Sequence, residues 1–404
     1  MNLYPEPRPW RVEPHRMPGG ENIVSVIDDR GMPVWWPNIY HVFELRNAGK
    51  SLTVQKRQMN AIADAYNWAE QVGIDLDGRI ENLRFLNYAE TKALQARLQL
   101  SKTEGENGVV VGNDYWKDRC RAVRNYVEWR ARDPLQRIVR ANDCYLEAQL
   151  RLDRFSESIV AGIGKGKKFK AYGLSDAEQE ALLFAAMPGS RSNPFEKQHQ
   201  FRNFAIVFAL YDLGCRAGEL LGLKRNDLLL SGSRPLVTIE RRQNDPDDPR
   251  SRPANAKTLS RPLPVNAPLA SVLNMWLTEH RVVKETYPGA NKSPYVFVSG
   301  DGSPLASNTL EYIFVRLRAV EGVPATLTAH KLRHTWNDRF SKLVDDDLTG
   351  SLREEMATRV RNFLNGWRPS SQQGEQYTHR FVEEKGAKMM LKLQALSIAG
   401  SARS

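Results

Sequence analysis

Residues 328–335 read Thr328-Ala-His330-Lys-Leu-Arg333-His334-Thr335, and the reading of this octet decides the fold. His330 and Arg333, three apart, share one face of a helix. Alone, such a pair is most simply a stretch of solvated surface. Three further clusters surround it in a fixed order. Upstream lies Leu213-Gly-Cys-Arg216-Ala-Gly-Glu219-Leu-Leu-Gly-Leu223, where Arg216 and Glu219 have the spacing of an ordinary surface ion pair. Between the two stands Lys257, on the approach to a strand-like run. Downstream come Gly366-Trp367 and then Gln376-Tyr377-Thr378-His379. Each cluster by itself has a plain structural explanation, Lys257 as a surface charge and Trp367 and Tyr377 as packed aromatics. Their joint occurrence in one order does not.

The chain around these clusters has 404 residues, enough for two or three domains each with its own core. Fifty-eight Lys and Arg against 47 Asp and Glu give a net charge of +11, which suits a polyanionic partner because each neutralised phosphate releases condensed counterions. Three scattered cysteines without a CxxC pair point to a reducing compartment, and the N-terminus has no apolar leader. With no apolar run approaching 18 residues, membrane spanning and secretion are not expected, and the expected place is the cytoplasm.

Composition divides the chain into four. Residues 1–36, rich in Pro, Gly and Arg, read as an arm or small hairpin with strand-like runs at Asn22–Ile27 and Met32–Trp36. Residues 37–161 are helical in pattern: Met59, Ile62, Ala63, Tyr66 and Ala69 form one stripe, Ser51 or Thr53 is positioned to cap that helix, and further helices are expected over Ile80–Leu100 and Asn113–Arg132. In the last of these, Arg119, Arg121, Arg124 and Arg130 are expected to face outward, where Arg119, Arg121 and Arg124 meet DNA phosphates. Residues 162–172, GIGKGKKFKAY, form a basic linker whose Lys165, Lys167 and Lys168 are further DNA contacts. Ser175-Asp-Ala-Glu178 is a capping box that opens the domain of residues 173–404. There a helix ends at Leu213-Gly214, strands are expected at Leu236–Arg241 and Leu259–Val265, a short one at Tyr295–Val298, and the remainder is helical. The fold class is therefore mainly α with a small β-sheet.

The four clusters resemble those of the tyrosine recombinase, or phage integrase, family. That family carries an arginine in a G-x-R-x-x-E-L turn, a lysine in a β-hairpin, an H-x-L-R-H-T box, a His or Trp, and a nucleophilic tyrosine. The resemblance implies an α+β catalytic domain over residues 173–404 behind a helical core-binding domain. It also implies a reaction in which Tyr377 attacks a DNA phosphodiester and is held as a 3′-phosphotyrosyl ester. The residue types suit that chemistry. Arg216 and Arg333 offer planar forks of permanently charged donors to the non-bridging oxygens. A phenol with a pKa of about 10 must lose its proton as it attacks, and His330 is the base; the 5′-oxygen needs a proton, and Lys257 supplies it. Trp367 donates its indole N–H or buttresses the site, while Glu219 and His334 orient neighbouring groups. Because the ester conserves the energy of the cut, no cofactor is implied, neither nucleotide nor metal.

The resemblance further implies double-stranded DNA as partner, a tetramer assembled on it through the C-terminal tail (helical spacing at Met389, Leu393 and Leu396), and accessory DNA-bending or directionality proteins. This chain departs from the family pattern in three places. Trp367 stands where histidine is commoner, the stretch between Arg333 and Trp367 reads as holding an insertion around Val344–Glu355, and the turn before Lys257 is long, with Arg252 as a second cation. Two rivals share part of the pattern: a type IB topoisomerase, and a DNA-binding module without catalysis.

Overall fold

The computed structural model describes residues 10–101, 109–140, 143–164, 166, 172–242, 245–250, 253–254, 256, 258–347, 352–368 and 371, with the backbone alone at 344–347 and 352–356. Lys165, Lys167, Lys168, Arg252, Lys257 and Tyr377, together with the tail after it, lie outside the described residues. The chain divides into two units, Met1–Lys168 and Phe169–Ser404.

The first unit opens with an antiparallel hairpin, β1 (Arg11–Arg16) and β2 (Asn22–Ile27), in which Arg11 stands opposite Ile27 and Arg16 opposite Asn22. Alternation along β2 turns Val24 and Val26 inward, so the hairpin closes the same core as the helices that follow. These are α1 (Trp35–Tyr40), running into a π-helical turn at His41–Arg46, then α2 (Leu52–Gln71), α3 (Leu76–Glu81), α4 (Tyr88–Gln99), α5 (Asn113–Gln136) and α6 (Asp143–Ser158). The alanine-rich buried face of α2 (Ala61, Ala65 and Ala69) lets α5 approach it closely through Cys120, Val123 and Val127.

Three local expectations are corrected here. The helix expected over residues 80–100 is broken between α3 and α4: Leu83 takes φ +53°, and Asn87 restarts the helix through a capping box with Glu90. The strand expected at Met32–Trp36 is only a bridge from Pro33 to Ile27, after which α1 begins. Ser51 occupies the N-cap of α2 but makes no side-chain cap bond.

The larger correction concerns α5. Arg119 and Arg130 are buried, not outward. Helix α5 is the central element of the unit, packed by α2, α3, α4 and α6, so it has little free face. Arg119 donates to Asp64 on α2 and to the carbonyls of Leu98 (2.6 Å) and Leu100 (2.8 Å) at the open end of α4. Arg130 lies 3.6 Å from the centre of the Trp36 ring and 3.6 Å from Glu81. Arg119 is therefore a core cation and not a DNA contact. Arg121 and Arg124 do remain on the outer side, 3.6 Å from Asp118 and Glu128 respectively.

The second unit begins with α7 (Asp176–Ala186), capped by the reciprocal bonds of Ser175 and Glu178. Next come α8 (Lys197–Leu213), the short α9 (Ala217–Leu221), and a three-stranded antiparallel sheet of β3 (Leu228–Leu229), β4 (Leu236–Ile239) and β5 (Arg261–Pro264), with β4 central. Pro262 and Pro264 suit β5 because it is an edge strand. Its pleat turns Arg261 and Leu263 into the core. Among the described residues, four α-helices follow: α10 (Ala267–Met275), α11 (Ser307–Arg318), α12 (Ala329–Asp347) and α13 (Leu352–Asn365). The run at 295–298 forms only isolated bridges, Lys224 with Tyr295 and Val298 with Pro304. The stretch read as an insertion is the end of α12 and the start of α13, apart from residues 348–351. A mainly helical unit with one small sheet is the fold class the sequence implies.

Candidate active site

The site starts at the end of α8. Gly214 takes φ +58°, which stops the helix, and a side chain there would meet the Trp336 ring at 2.5 Å. Trp336, on α12, donates its indole N–H to the Asp212 carbonyl at 3.0 Å, so α12 is seated against this turn. The turn delivers Arg216 to the N-cap of α9, where its backbone N–H donates to Glu219 Oε2 at 3.0 Å and its Nη1 lies 3.4 Å from Oε1. The Arg216 side chain is 26% exposed, while that of Glu219 is fully buried.

Arg333 joins this turn to the far end of the domain. It is buried on α12, and its Nη1 donates to the Gly214 carbonyl at 2.7 Å and its Nη2 to the Asn365 carbonyl at 3.1 Å. Its guanidinium lies 5.3 Å from the centre of the Trp367 ring. One planar fork thus reaches both the segment before Arg216 and the segment before Trp367, which a lysine would not do.

His330 stands one turn before His334 on α12, their rings perpendicular with centres 4.8 Å apart. Burial, and then the charges of Arg333 and Arg216, hold the His330 imidazole below its ordinary pKa. An imidazole kept neutral at physiological pH is free to accept a proton. Burial acts more strongly on His334, which with His330, Arg333 and Lys331 nearby falls to about 4.

Beneath Arg216 lies a polar network the sequence reading did not anticipate. Glu219 accepts from Thr258 Oγ1 at 2.7 Å and from Arg261 Nη2 at 2.9 Å. Burial pushes the Glu219 carboxyl up, but Arg261, Thr258 and Arg333 outweigh it and leave the pKa below the ordinary carboxylate value. Arg261 also donates from Nε to the Leu364 carbonyl at 2.7 Å. Gly366, at φ +66°, packs against this guanidinium so closely that a Cβ would lie 2.5 Å from Nη1, and its carbonyl accepts from the Leu259 N–H at 2.9 Å.

Arg216, Glu219, His330, Arg333, His334 and Trp367 are therefore gathered around one turn, from segments up to 151 positions apart (216 to 367). Among the residues missed, Arg261 had one visible signal: an arginine on the same pleat as Leu263 in a run otherwise fit for the core. Asn365 and Asn337, which bond across α12 and α13, gave none. Among the described residues no group of three His, Cys, Asp or Glu stands where it could hold a metal ion, and no helix is long and apolar enough to cross a membrane.

Comparison with known proteins shows what this architecture and its cationic site resemble. Residues 175–346 match the family model described as the phage integrase family. Through this domain the chain is similar to that family, the tyrosine recombinases. Over 135 residues it is 30% identical to a tyrosine recombinase XerC of Methylobacterium sp. (strain 4-46), and likewise to one of Bradyrhizobium diazoefficiens. Each match covers 33% of this chain and 36% of the relative, so the shared stretch is about a third of either protein. The fold is that of a Tn1549 transposon integrase solved in complex with a circular intermediate DNA, with a TM-score of 0.50 at 15% identity over 88% of this chain and 99% of that one.

Proposed function

We propose that the protein is a site-specific DNA recombinase that cuts and rejoins DNA through a 3′-phosphotyrosyl bond to Tyr377, integrating, excising or resolving a mobile element. The observation that carries this reading is Arg333, whose guanidinium ties the Arg216 turn to the Asn365–Trp367 turn while His330 lies in the field of both arginines. That arrangement suits one scissile phosphate. Arg216 and Arg333 share the charge on its non-bridging oxygens, as preorganised donors should. The neutral His330 takes the proton of the Tyr377 phenol, Lys257 protonates the leaving 5′-oxygen, and Trp367 supports the phosphate beside Arg333. Glu219 and His334 orient these groups.

In this reading residues 37–161 are a core-binding domain, with Arg121 and Arg124 on DNA phosphates, and 162–172 a basic linker whose Lys165, Lys167 and Lys168 track the backbone. Four protomers assemble on two duplex sites through the C-terminal tail, with DNA-bending or directionality proteins as helpers, wherever the cell keeps its DNA.

The test uses a nicked duplex bearing the site the chain selects from a random pool, with the 5′-fragment free to leave after cleavage. An adduct that survives SDS, absent from Tyr377→Phe, is the expected result. Relaxation of plasmids without sequence preference would instead mark a type IB topoisomerase, and binding with no adduct a module without catalysis; either overturns the reading.

A further inference from the structure

We infer that Arg261 is a positioning residue for strand cleavage, acting on the scissile phosphate through Glu219 and Arg216. The inference rests on the recombinase reading and concerns a residue to which that reading gives no part. Its side chain is 1% exposed, and its donors go to two distant segments and to Thr258, three residues before it. Nη2 reaches Glu219 beside the Arg216 turn, Nη1 reaches Thr258 Oγ1 at 3.0 Å next to the Lys257 position, and Nε reaches the Leu364 carbonyl ahead of Trp367.

The Glu219 carboxylate is the shared element. Oε1 accepts from Thr258 and faces Arg216 Nη1; Oε2 accepts from Arg261 and from the Arg216 backbone. With Arg261 and Thr258 holding both oxygens, the carboxylate plane is fixed, and so is the direction from which it holds Arg216. Gly366 adds a second constraint, since its backbone is moulded on the same guanidinium. A buried ion pair gives little net stability over an apolar pair of similar volume. The placement of its bonds is what distinguishes this one. Arg216 retains a quarter of its exposure and stands between this fixed carboxylate and the surface where a phosphate arrives.

The experiment compares two linkages in the nicked substrate: the ordinary phosphodiester, and a methylphosphonate at the scissile position, which lacks one non-bridging charge. Arg261→Lys keeps the charge and loses the fork. The double variant Glu219→Gln/Arg261→Met removes the pair together, so that no charge is left buried if the single variant fails to fold. Each full-length variant is first checked for its unfolding midpoint, expected to fall where buried bonds are lost, and for its affinity for site DNA, expected close to that of the parent chain; the linkages are compared well below the lowest midpoint. Cleavage of the phosphodiester is expected to slow on the order of 100-fold, the scale of losing one preorganised donor. On the methylphosphonate, where Arg216 has less charge to stabilise, the slowing should shrink to less than about a tenth of that. Equal slowing on both linkages would show a merely structural role, and a folded variant that cleaves at the parental rate would show none; either result overturns the inference. A parent chain that forms no adduct on the phosphodiester sinks the recombinase reading itself, whereas an adduct with parallel slowing sinks only the role of Arg261.

Discussion

Each unit of the molecule holds an arginine–carboxylate pair deep in its core, and the two pairs differ in what surrounds them. Arg119 with Asp64, in the first unit, and Arg261 with Glu219, in the second, are equally dry: no partner is more than 3% exposed. Arg119 spends its other donors on the two carbonyls that α4 leaves open, so its work ends inside the helical core. Arg261 spends its donors on two distant segments and on nearby Thr258, and its carboxylate also holds a cation that is a quarter exposed. The same pair of residue types thus closes a core in one unit and underlies the Arg216 turn in the other. What a buried ion pair does is read from its remaining bonds, not from its charges.

The comparison breaks most readily at Asp64. Asp64→Ala leaves the Arg119 guanidinium buried without its counter-charge, which should cost about 3–5 kcal/mol. The loss should appear in the first unit alone, as a lowered calorimetric transition for Met1–Lys168 with the second unit's transition in place. A cost below about 1 kcal/mol would mean that Arg119 is a surface cation after all. Arg216→Ala should show the opposite profile. With a quarter of its side chain in water its removal should hardly move the unfolding midpoint, yet slow adduct formation by about 10²–10³-fold, near 3–4 kcal/mol of barrier. If Arg216→Ala lowers stability and cleavage in proportion, the second pair is no different from the first.

The contrast also explains how much could be read beforehand. That Arg216, His330, Arg333 and Trp367 stand near one another was legible only through the family resemblance, since each cluster alone reads as ordinary structure. The helix stop at Gly214 and the capping box at Ser175 were legible because each is a local signal needing no partner. Arg119 was misread for the complementary reason. On a helical wheel it falls beside Val123, away from Arg121 and Arg124, but its charge made it look like one more solvated cation; Asp64, 55 positions earlier, is the partner that lets it stay in the core. Arg261 was hidden in the same way, since its partners stand 42 and 103 positions off. The break at Leu83 escaped because a left-handed backbone at a leucine carries none of the local signal a glycine would give.

His334 sharpens the comparison through pH. Its folded pKa, about 4, lies below the ordinary 6.5, so the unfolded chain binds the proton more readily. The stability it gives is fully present above pH 6.5 and is lost as pH falls toward 4, amounting to about 2 kcal/mol at pH 4.5. Urea unfolding of the second unit at pH 7.5 and 4.5 measures this; in His334→Gln the drop between the two pH values should be smaller by that amount. An unchanged drop would show that the imidazole takes up its proton in the fold as easily as in the unfolded chain.

The smallest effect belongs to the outward arginines of α5, and it tests whether that helix serves anything beyond its core. Arg121, half exposed, sits 3.6 Å from Asp118, an exposed pair worth at most about 1 kcal/mol to folding. Arg121→Ala should therefore leave the melting of the first unit unchanged. If the arginine also neutralises a DNA phosphate, the variant should bind site DNA a few-fold more weakly at moderate salt. The slope of log affinity against log salt should then fall by about one counterion, equally for site and random duplexes, because a phosphate contact carries no sequence information. An unchanged slope would assign Arg121 to Asp118 alone, and α5 would then be, like its buried Arg119, an element of the core and nothing more.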